Sequence, residues 1–377
     1  MSEKIFRYDV LLEEEDICNL TQEKNKILKC ILKKEKMVVF GRRNSGKTSL
    51  VKNVIIPHFK KQNKSCFILF VDLMEVKDLT SLSSRLRIGF QQAFQEAFPK
   101  KAFLESVKKY IQNLKPTIEI NSVSGETGFT ILPKGDGDHS SFKEILEIIN
   151  LKIAKEVPTL LVIDEFQDAA FVAQALGLLR NELQSFKDVP VILMGSKKHL
   201  LAEIFAKPNA PFADFGVDIE FSDIPYQEYH LYMQERLERQ SLEIDFETAK
   251  VWQDLLFRNP EAINMVGATL VDHFKKMKIT HTEIHFAIHS ILDQRQARYR
   301  ELISQFSSHE ENLLTAIAKY GPVAEPSSKN FLDKVKPSHA TVLKIVKKLL
   351  DHSILEKTND GYRLHNPLLH FFLIRNS

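Results

Sequence analysis

Gly41-Arg42-Arg43-Asn44-Ser45-Gly46-Lys47-Thr48 has the residue types and spacing to grip a chain of phosphates. It fits G-x-x-x-x-G-K-[ST], whose glycines let successive backbone N–H groups curl towards phosphate oxygens. Met37-Val38-Val39-Phe40 enters the loop as a buried strand should. Ser49-Leu50-Val51-Lys52-Asn53-Val54-Ile55-Ile56 leaves it with helical spacing of apolar residues. The start of that helix adds partial positive charge. Pro57 is expected to end or kink it. In this layout Lys47 reaches the β- and γ-phosphates of ATP, and the Thr48 hydroxyl ligates Mg²⁺. The predicted nucleotide-binding set runs from Gly41 to Ser49.

Hydrolysis needs a second acidic element, and Leu160-Leu161-Val162-Ile163-Asp164-Glu165 supplies it. Four apolar residues bury a strand whose C-terminal end, where open α/β sheets bind ligands, delivers two adjacent carboxylates. Asp164 is expected to hold Mg²⁺ through water, and Glu165 to orient the attacking water as general base. A small-molecule kinase has no need of the second acid, so Glu165 favours water as the acceptor. Strand 189–194 ends in Gly195-Ser196-Lys197. Ser196 is the candidate to approach the γ-phosphate, the alternative being a turn serine, while Lys197 and Lys198 are expected to face solvent. Cationic help could come from Arg42, Arg43, Arg180 or Arg258. The first two sit inside the loop and could instead close over the nucleotide. Arg180, on the helix after the acidic strand, has a solvated surface role equally open to it.

These residues need a sheet to position them. Strand candidates at 37–40, 65–71, 159–163, 189–194 and 217–221 alternate with helical segments, which predicts a parallel α/β sheet. The runs at 65–71 and 189–194 are continuously apolar, as strands covered on both faces are. A long insertion separates the second and third strands. It holds helices over about 79–114, a hairpin from 117–120 and 128–132, and a Gly/Asp loop, Lys134-Gly135-Asp136-Gly137-Asp138. That loop lacks the full ligand series of an EF-hand and reads as a linker. A helix is expected around 22–34, with Ile27, Leu28 and Ile31 apolar.

From about 224 to 303 the pattern is helical throughout. Ile224-Pro225-Tyr226 opens it and Asn259-Pro260 interrupts it. Beyond Ser304, helices are expected at 310–320, near 328–334, and from Pro337-Ser338 onward. The last carries a one-face stripe of Val342, Ile345, Val346, Leu349 and Leu350. Ile354–Lys357 and Gly361–Leu364 flank Asn359-Asp360 as a β-hairpin. Three helices and a hairpin make a winged-helix pattern. The predicted domains are therefore an ATPase core at 1–222, an α-helical lid at 223–303 and a winged helix at 304–377.

Composition sets the outer bounds. The 377 residues are 44% hydrophobic and 27% charged, with net charge +3, which is ordinary for a globular chain and does not by itself point to nucleic acid. Three cysteines, Cys18, Cys30 and Cys66, lack metal-ligand spacing and read as reduced thiols. No apolar stretch approaches the roughly 20 residues that span a bilayer. A cytoplasmic location without membrane attachment is the expectation.

Together these residues resemble the STAND branch of AAA-related ATPases, specifically the archaeal-type predicted ATPases with a C-terminal winged helix. The motifs that carry the resemblance are Gly41-Arg42-Arg43-x-x-Gly46-Lys47-Thr48-Ser49-Leu50, Leu161-Val162-Ile163-Asp164-Glu165-Phe166-Gln167 and Leu193-Met194-Gly195-Ser196. The resemblance implies the strand order 5-1-4-3-2, a helical lid and a regulated ATP switch. It also implies that Pro260 is the lid proline packing near the base. Family members usually carry Gly where Arg258 stands. Many also place an arginine before the fifth strand, where this chain reads Asp214-Phe215-Gly216. Hydrolysis is then slow, or uses Arg258 or a partner's arginine. The segment that frames adenine has no clear counterpart at 10–28.

Lys344, Lys347 and Lys348 on the third winged-region helix, with Lys357 and Arg363 on the hairpin, leave duplex DNA open as a partner, alongside another protein or a second copy of the chain. From Lys319 onward there are ten Lys/Arg against five Asp/Glu, enough for salt-dependent phosphate contacts. A lysine-decorated polar face is also the default for any solvated helix. Three functions follow as expectations: an ATP-driven switch, a DNA-acting ATPase resembling replication-initiator or transposition helper proteins, and a nucleotide-locked scaffold that does not hydrolyse.

Overall fold

Four apolar runs and the alternating segment Val217–Phe221 become five strands of one sheet, and their order decides which residues meet at its edge. The computed structural model describes residues 5–98, 103–111, 117–120, 127–130, 139–335 and 338–377. The strands are β1 (Lys36–Gly41), β2 (Phe67–Asp72), β3 (Thr117–Ile120), β4 (Thr127–Thr130), β5 (Thr159–Asp164), β6 (Val191–Gly195) and β7 (Val217–Phe221). The sheet runs β2-β5-β6-β1-β7, and all its pairings are parallel. Counting only its five strands, this is the implied order 5-1-4-3-2 read from the other edge. Every residue of β5 and β6 is buried, which is why their sequences are continuously apolar rather than alternating.

The register brings chemistry to one end. Asp72 is opposite Asp164, Phe40 opposite Gly195, and Gly41 opposite Phe221. The C-terminal ends of β2, β5, β6 and β1 therefore lie side by side. β3 and β4 form the separate antiparallel hairpin expected of the insertion. The Gly/Asp loop at 134–138 lies outside the described residues. The helix after the loop does not stop at Pro57. A widened turn over Val51–Ile55 bonds Ile56 N–H to Val51 O, and Pro57 then sits in the first turn of the helix Ile56–Gln62. There its missing N–H costs nothing.

The chain divides into two units. The sheet and its helices make one, Leu20–Ser222. The other joins Met1–Asn19 to Asp223–Ser377, so an N-terminal strap belongs with the helical half. Phe6 is buried there, with its ring centroid 6.3 Å from those of Tyr232 and of Trp252. Arg236, only 3% exposed, stacks 3.7 Å over Tyr232, donates to the Glu15 carbonyl at 2.7 Å and pairs with Asp16 at 3.5 Å. Burial pushes the thiol of Cys18 in this strap up to about 12, and all three cysteines are free.

The helical half is not purely α. Leu242–Glu243 (β8) pairs in parallel with Met277–Lys278 (β9), correcting the expectation of helix throughout. The winged region has the expected helices Ser308–Tyr320, Lys329–Val335 and His339–Asp351 and the hairpin Leu355–Thr358 (β10) with Gly361–Leu364 (β11). Val342, Ile345, Val346 and Leu349 are buried as the stripe requires. A further helix, Pro367–Arg375, closes the region, with Asn366 Oδ1 accepting from Leu368 and Leu369 N–H. Among the described residues no helix is long and apolar enough to cross a membrane.

Candidate active site

The loop at 41–48 folds around its own lysine. Gly46 takes φ +86°, a left-handed conformation that a side chain would strain, and a Cβ there would lie 3.1 Å from Leu20. Lys47 is buried, and its Nζ donates to Gly41 O at 3.1 Å, Arg42 O at 2.7 Å and Ser45 Oγ at 3.1 Å. The ammonium group thus stands within the concavity that the glycines create. Arg42 is half-buried, while Arg43 and Asn44 are exposed at the rim.

Across the sheet edge, Thr48 Oγ1 donates to Asp164 Oδ2 at 2.9 Å. The second oxygen, Asp164 Oδ1, accepts from Glu165 N–H at 2.9 Å. Burial raises the Asp164 carboxyl above the ordinary range, and the nearby Glu165 and Asp72 carboxylates add to this while the Thr48 hydrogen bond opposes it. A nearby cation would relieve that penalty. The donors are hard oxygens, the type that suits Mg²⁺. Asp72, opposite Asp164, ends an apolar strand in an acid, the same signal that marks Asp164.

Successive strand residues point to opposite faces, so adjacent acids need a device to converge. Glu165 supplies it by adopting φ +47°, which turns the chain out of β5 into the tight helix Phe166–Phe171. Ser196 Oγ then donates to Glu165 Oε2 at 3.1 Å. Gln167 Nε2 also donates to Glu165 Oε2, and Gln167 Oε1 accepts from Ser196 N–H at 3.2 Å. The structure therefore brings Lys47, Thr48, Asp164, Glu165 and Ser196 together in one unit, with Gln167 beneath them. Lys197 does not face solvent as expected. It is 19% exposed and pairs with the buried Asp168 at 3.1 Å.

Arg180 is committed elsewhere. It donates to Ala213 O at 3.2 Å and stacks over Phe212 and Phe215, so it is neither a free surface charge nor a group aimed at the acids. Arg258 and Pro260 belong to the other unit. Arg258 adopts φ +55°, which explains why glycine suits this position. It donates to Ile224 O, lies 4.2 Å over Tyr226 and pairs with Asp223 at 3.7 Å. Asn259 Oδ1 caps the following helix through Ala262 N–H at 3.0 Å, with Pro260 at its first turn.

In the winged region two of the five named cations pair with carboxylates, and a third, Lys357, lies 5.4 Å from the Tyr362 ring centroid. Lys348 bonds the buried Glu310 at 2.7 Å, and Arg363 bonds Glu356 at 2.7 Å while lying 4.7 Å from the Phe257 ring centroid. Lys344 and Lys347 are exposed.

A parallel sheet in this order, with a glycine-lysine loop after β1 and an acid at the end of β5, defines a P-loop ATPase-type core. The comparisons agree. A family model described as a probable winged helix domain matches residues 297–375. The fold is similar to that of a Walker-type ATPase of Pyrococcus abyssi (TM-score 0.62, 14% identity, 98% of this chain and 99% of that one). It is also similar to the Aeropyrum pernix ORC1 protein in complex with DNA (TM-score 0.53, 12% identity, 99% and 96%). The ORC2 protein of the same organism, in ADPNP–ADP complexes, aligns at TM-score 0.52 with 14% identity, over 99% and 96%. No curated protein matches the sequence. The chain has the fold of these Walker-type ATPases, with a winged helix domain at residues 297–375.

Proposed function

We propose that this chain is an Mg²⁺-dependent ATP-binding and hydrolysing switch of the STAND/AAA-related class. The observation that carries the reading is the 2.9 Å hydrogen bond from Thr48 to Asp164, two oxygens 116 residues apart in sequence. In this reading the N–H groups of the loop from Gly41 to Thr48, with Ser49 behind, cradle the phosphates, and Arg42 and Arg43 close over them. Lys47 exchanges its carbonyl partners for β- and γ-phosphate oxygens. Mg²⁺, held by Thr48 and through water by Asp164, would offset charge on those phosphates. Glu165 takes the proton of the attacking water, and Ser196 donates to a γ-phosphate oxygen. Cationic help is assigned to Arg258, two residues before Pro260, or to a partner's arginine. Leu20, the first residue after the strap, packs at Gly46. That contact supports a reading in which occupancy of the loop is felt at Leu20.

Phosphate release tests the reading. Glu165→Gln is expected to bind ATP and release phosphate at least about 100-fold more slowly, in line with loss of a general base. Equal rates with ATP bound in both proteins would remove Glu165 from the mechanism. Tight ATP binding without turnover, even at high protein concentration, would mark the scaffold reading instead.

A DNA-acting ATPase is the second reading, favoured by the exposure of Lys344 and Lys347 on the helix His339–Asp351. A gel shift that weakens with salt and with Lys344→Glu/Lys347→Glu supports it. No shift at low salt ends it.

A further inference from the structure

Gln167 is fully buried although neither the phosphate loop nor the acid pair calls for it. Its amide is spent on three groups. Nε2 donates to Glu165 Oε2 and lies 3.3 Å from Asp168 Oδ1, and Oε1 accepts from Ser196 N–H at 3.2 Å. Gly195 makes room for it, since a Cβ there would stand 2.4 Å from Gln167 Oε1. Asp168 is fixed in turn by Lys197 at 3.1 Å and by Glu75 N–H at 3.0 Å. The amide therefore has one orientation, with its NH₂ on the carboxylates and its oxygen on Ser196.

Ser196 and Gln167 share the Glu165 carboxylate, but they are not equivalent. A serine hydroxyl has a single proton. It can be given to Glu165, as here at 3.1 Å, or to a phosphate oxygen, but not to both. The geometry points to Gln167 as the positioning residue for Glu165: it holds the carboxylate in place when the Ser196 hydroxyl turns to the γ-phosphate, and through the Ser196 N–H it ties the two groups into one unit. This inference rests on the reading of Glu165 as general base. Gln167 itself touches no reacting atom.

The experiment measures kcat and KM for ATP from pH 6 to 9 in wild type, Gln167→Leu, Gln167→Glu, Glu165→Gln and the double variant Glu165→Gln/Gln167→Leu. Gln167→Leu is expected to lower kcat by about 10- to 100-fold with KM within about twofold, as a misplaced catalytic group does. The near-isosteric Gln167→Glu separates positioning from folding. A carboxyl buried beside two others titrates above its usual range, so it regains a donor proton as pH falls. The ratio of its kcat to that of wild type should rise on acidification, whereas the Gln167→Leu ratio stays flat. In the double variant, loss of Gln167 should slow the Glu165→Gln protein no further. Wild-type kcat in both Gln167 variants overturns the inference, as does an equal slowing with and without Glu165. If Glu165→Gln alone turns over like wild type, the catalytic reading of Glu165 falls first and this inference falls with it.

Discussion

Thr48 donates its hydroxyl proton to Asp164, and this 2.9 Å bond fastens the start of the helix after β1 to the end of β5. The carboxyl it meets is buried and raised, which means the folded protein disfavours the charge it carries at neutral pH. A folded value above the unfolded one makes the group destabilising wherever it is ionised, and the penalty fades as pH falls through the folded value. Asp164→Asn keeps an oxygen for the Glu165 N–H, turns its NH₂ to donate to the Thr48 hydroxyl oxygen, and removes the charge. It is expected to raise the melting temperature of the ligand-free protein at pH 7, with the gain shrinking on acidification. The same change should abolish the Mg²⁺ dependence of ATP affinity. Thermal melts from pH 4 to 8 and nucleotide titrations with and without Mg²⁺ check both halves.

Lys47 offers a simpler contrast. Its ammonium group is buried among Gly41 O, Arg42 O and Ser45 Oγ, so its charge is poised for an anion rather than solvated. Lys47→Ala should weaken ATP binding by about 10- to 100-fold, the value of one or two charge-assisted hydrogen bonds. Titration of a fluorescent ATP analogue measures it directly. Unchanged affinity would take the loop out of nucleotide binding.

The sheet and the acids could be read from the chain because each strand is a local signal. β5 and β6 are apolar at nearly every position, and Asp164-Glu165 and Gly195-Ser196 stand where those runs stop. What could not be read depends on residues far apart. Gln167 is explained only by Ser196 and by the hollow at Gly195, both on another strand. The burial of Phe6 and Asp16 is set by Tyr232, Arg236 and Trp252, more than two hundred positions on. A lysine just past a strand end is expected in solvent, and Asp168 reverses that for Lys197. The closing helix starts on Asn366-Pro367, as another starts on Asn259-Pro260, but its apolar residues lie on all sides and give no clear period.

The strap predicts a stability effect remote from the candidate site. Arg236 is nearly sealed from solvent, and Asp16 is the carboxylate that pairs with it. Removing one partner of a buried pair leaves a charge uncompensated and costs about 3–5 kcal/mol. Asp16→Ala should therefore lower the urea midpoint of the helical unit and expose residues 5–19 to limited proteolysis. Replacing the surface acid Glu13 by alanine is the control and should change neither. Equal proteolysis of the two variants would mean that Phe6 and the hydrogen bonds to the strap's backbone carbonyls hold it without the Asp16 carboxylate.

The winged region separates a structural lysine from solvent-facing ones on one helix. Lys348 holds Glu310, whose carboxyl is lowered first by that hydrogen bond and then by the Ser307 N–H. A lowered carboxyl stabilises the fold above its unfolded value, and the contribution is lost as pH falls through the folded value. Lys348→Ala should cost about 1 kcal/mol at pH 7, because the lysine is half exposed and its pairing is screened. The loss should disappear below the usual carboxylate range, where Glu310 is protonated in either protein. Lys344→Glu and Lys347→Glu should leave the melting temperature within about 1 °C at every pH, as surface changes away from any partner do. Melts of the three variants across pH 3 to 7 test the assignment. If Lys348→Ala behaves like the other two, Lys348 is freed for an external ligand, and the case for this helix facing DNA strengthens.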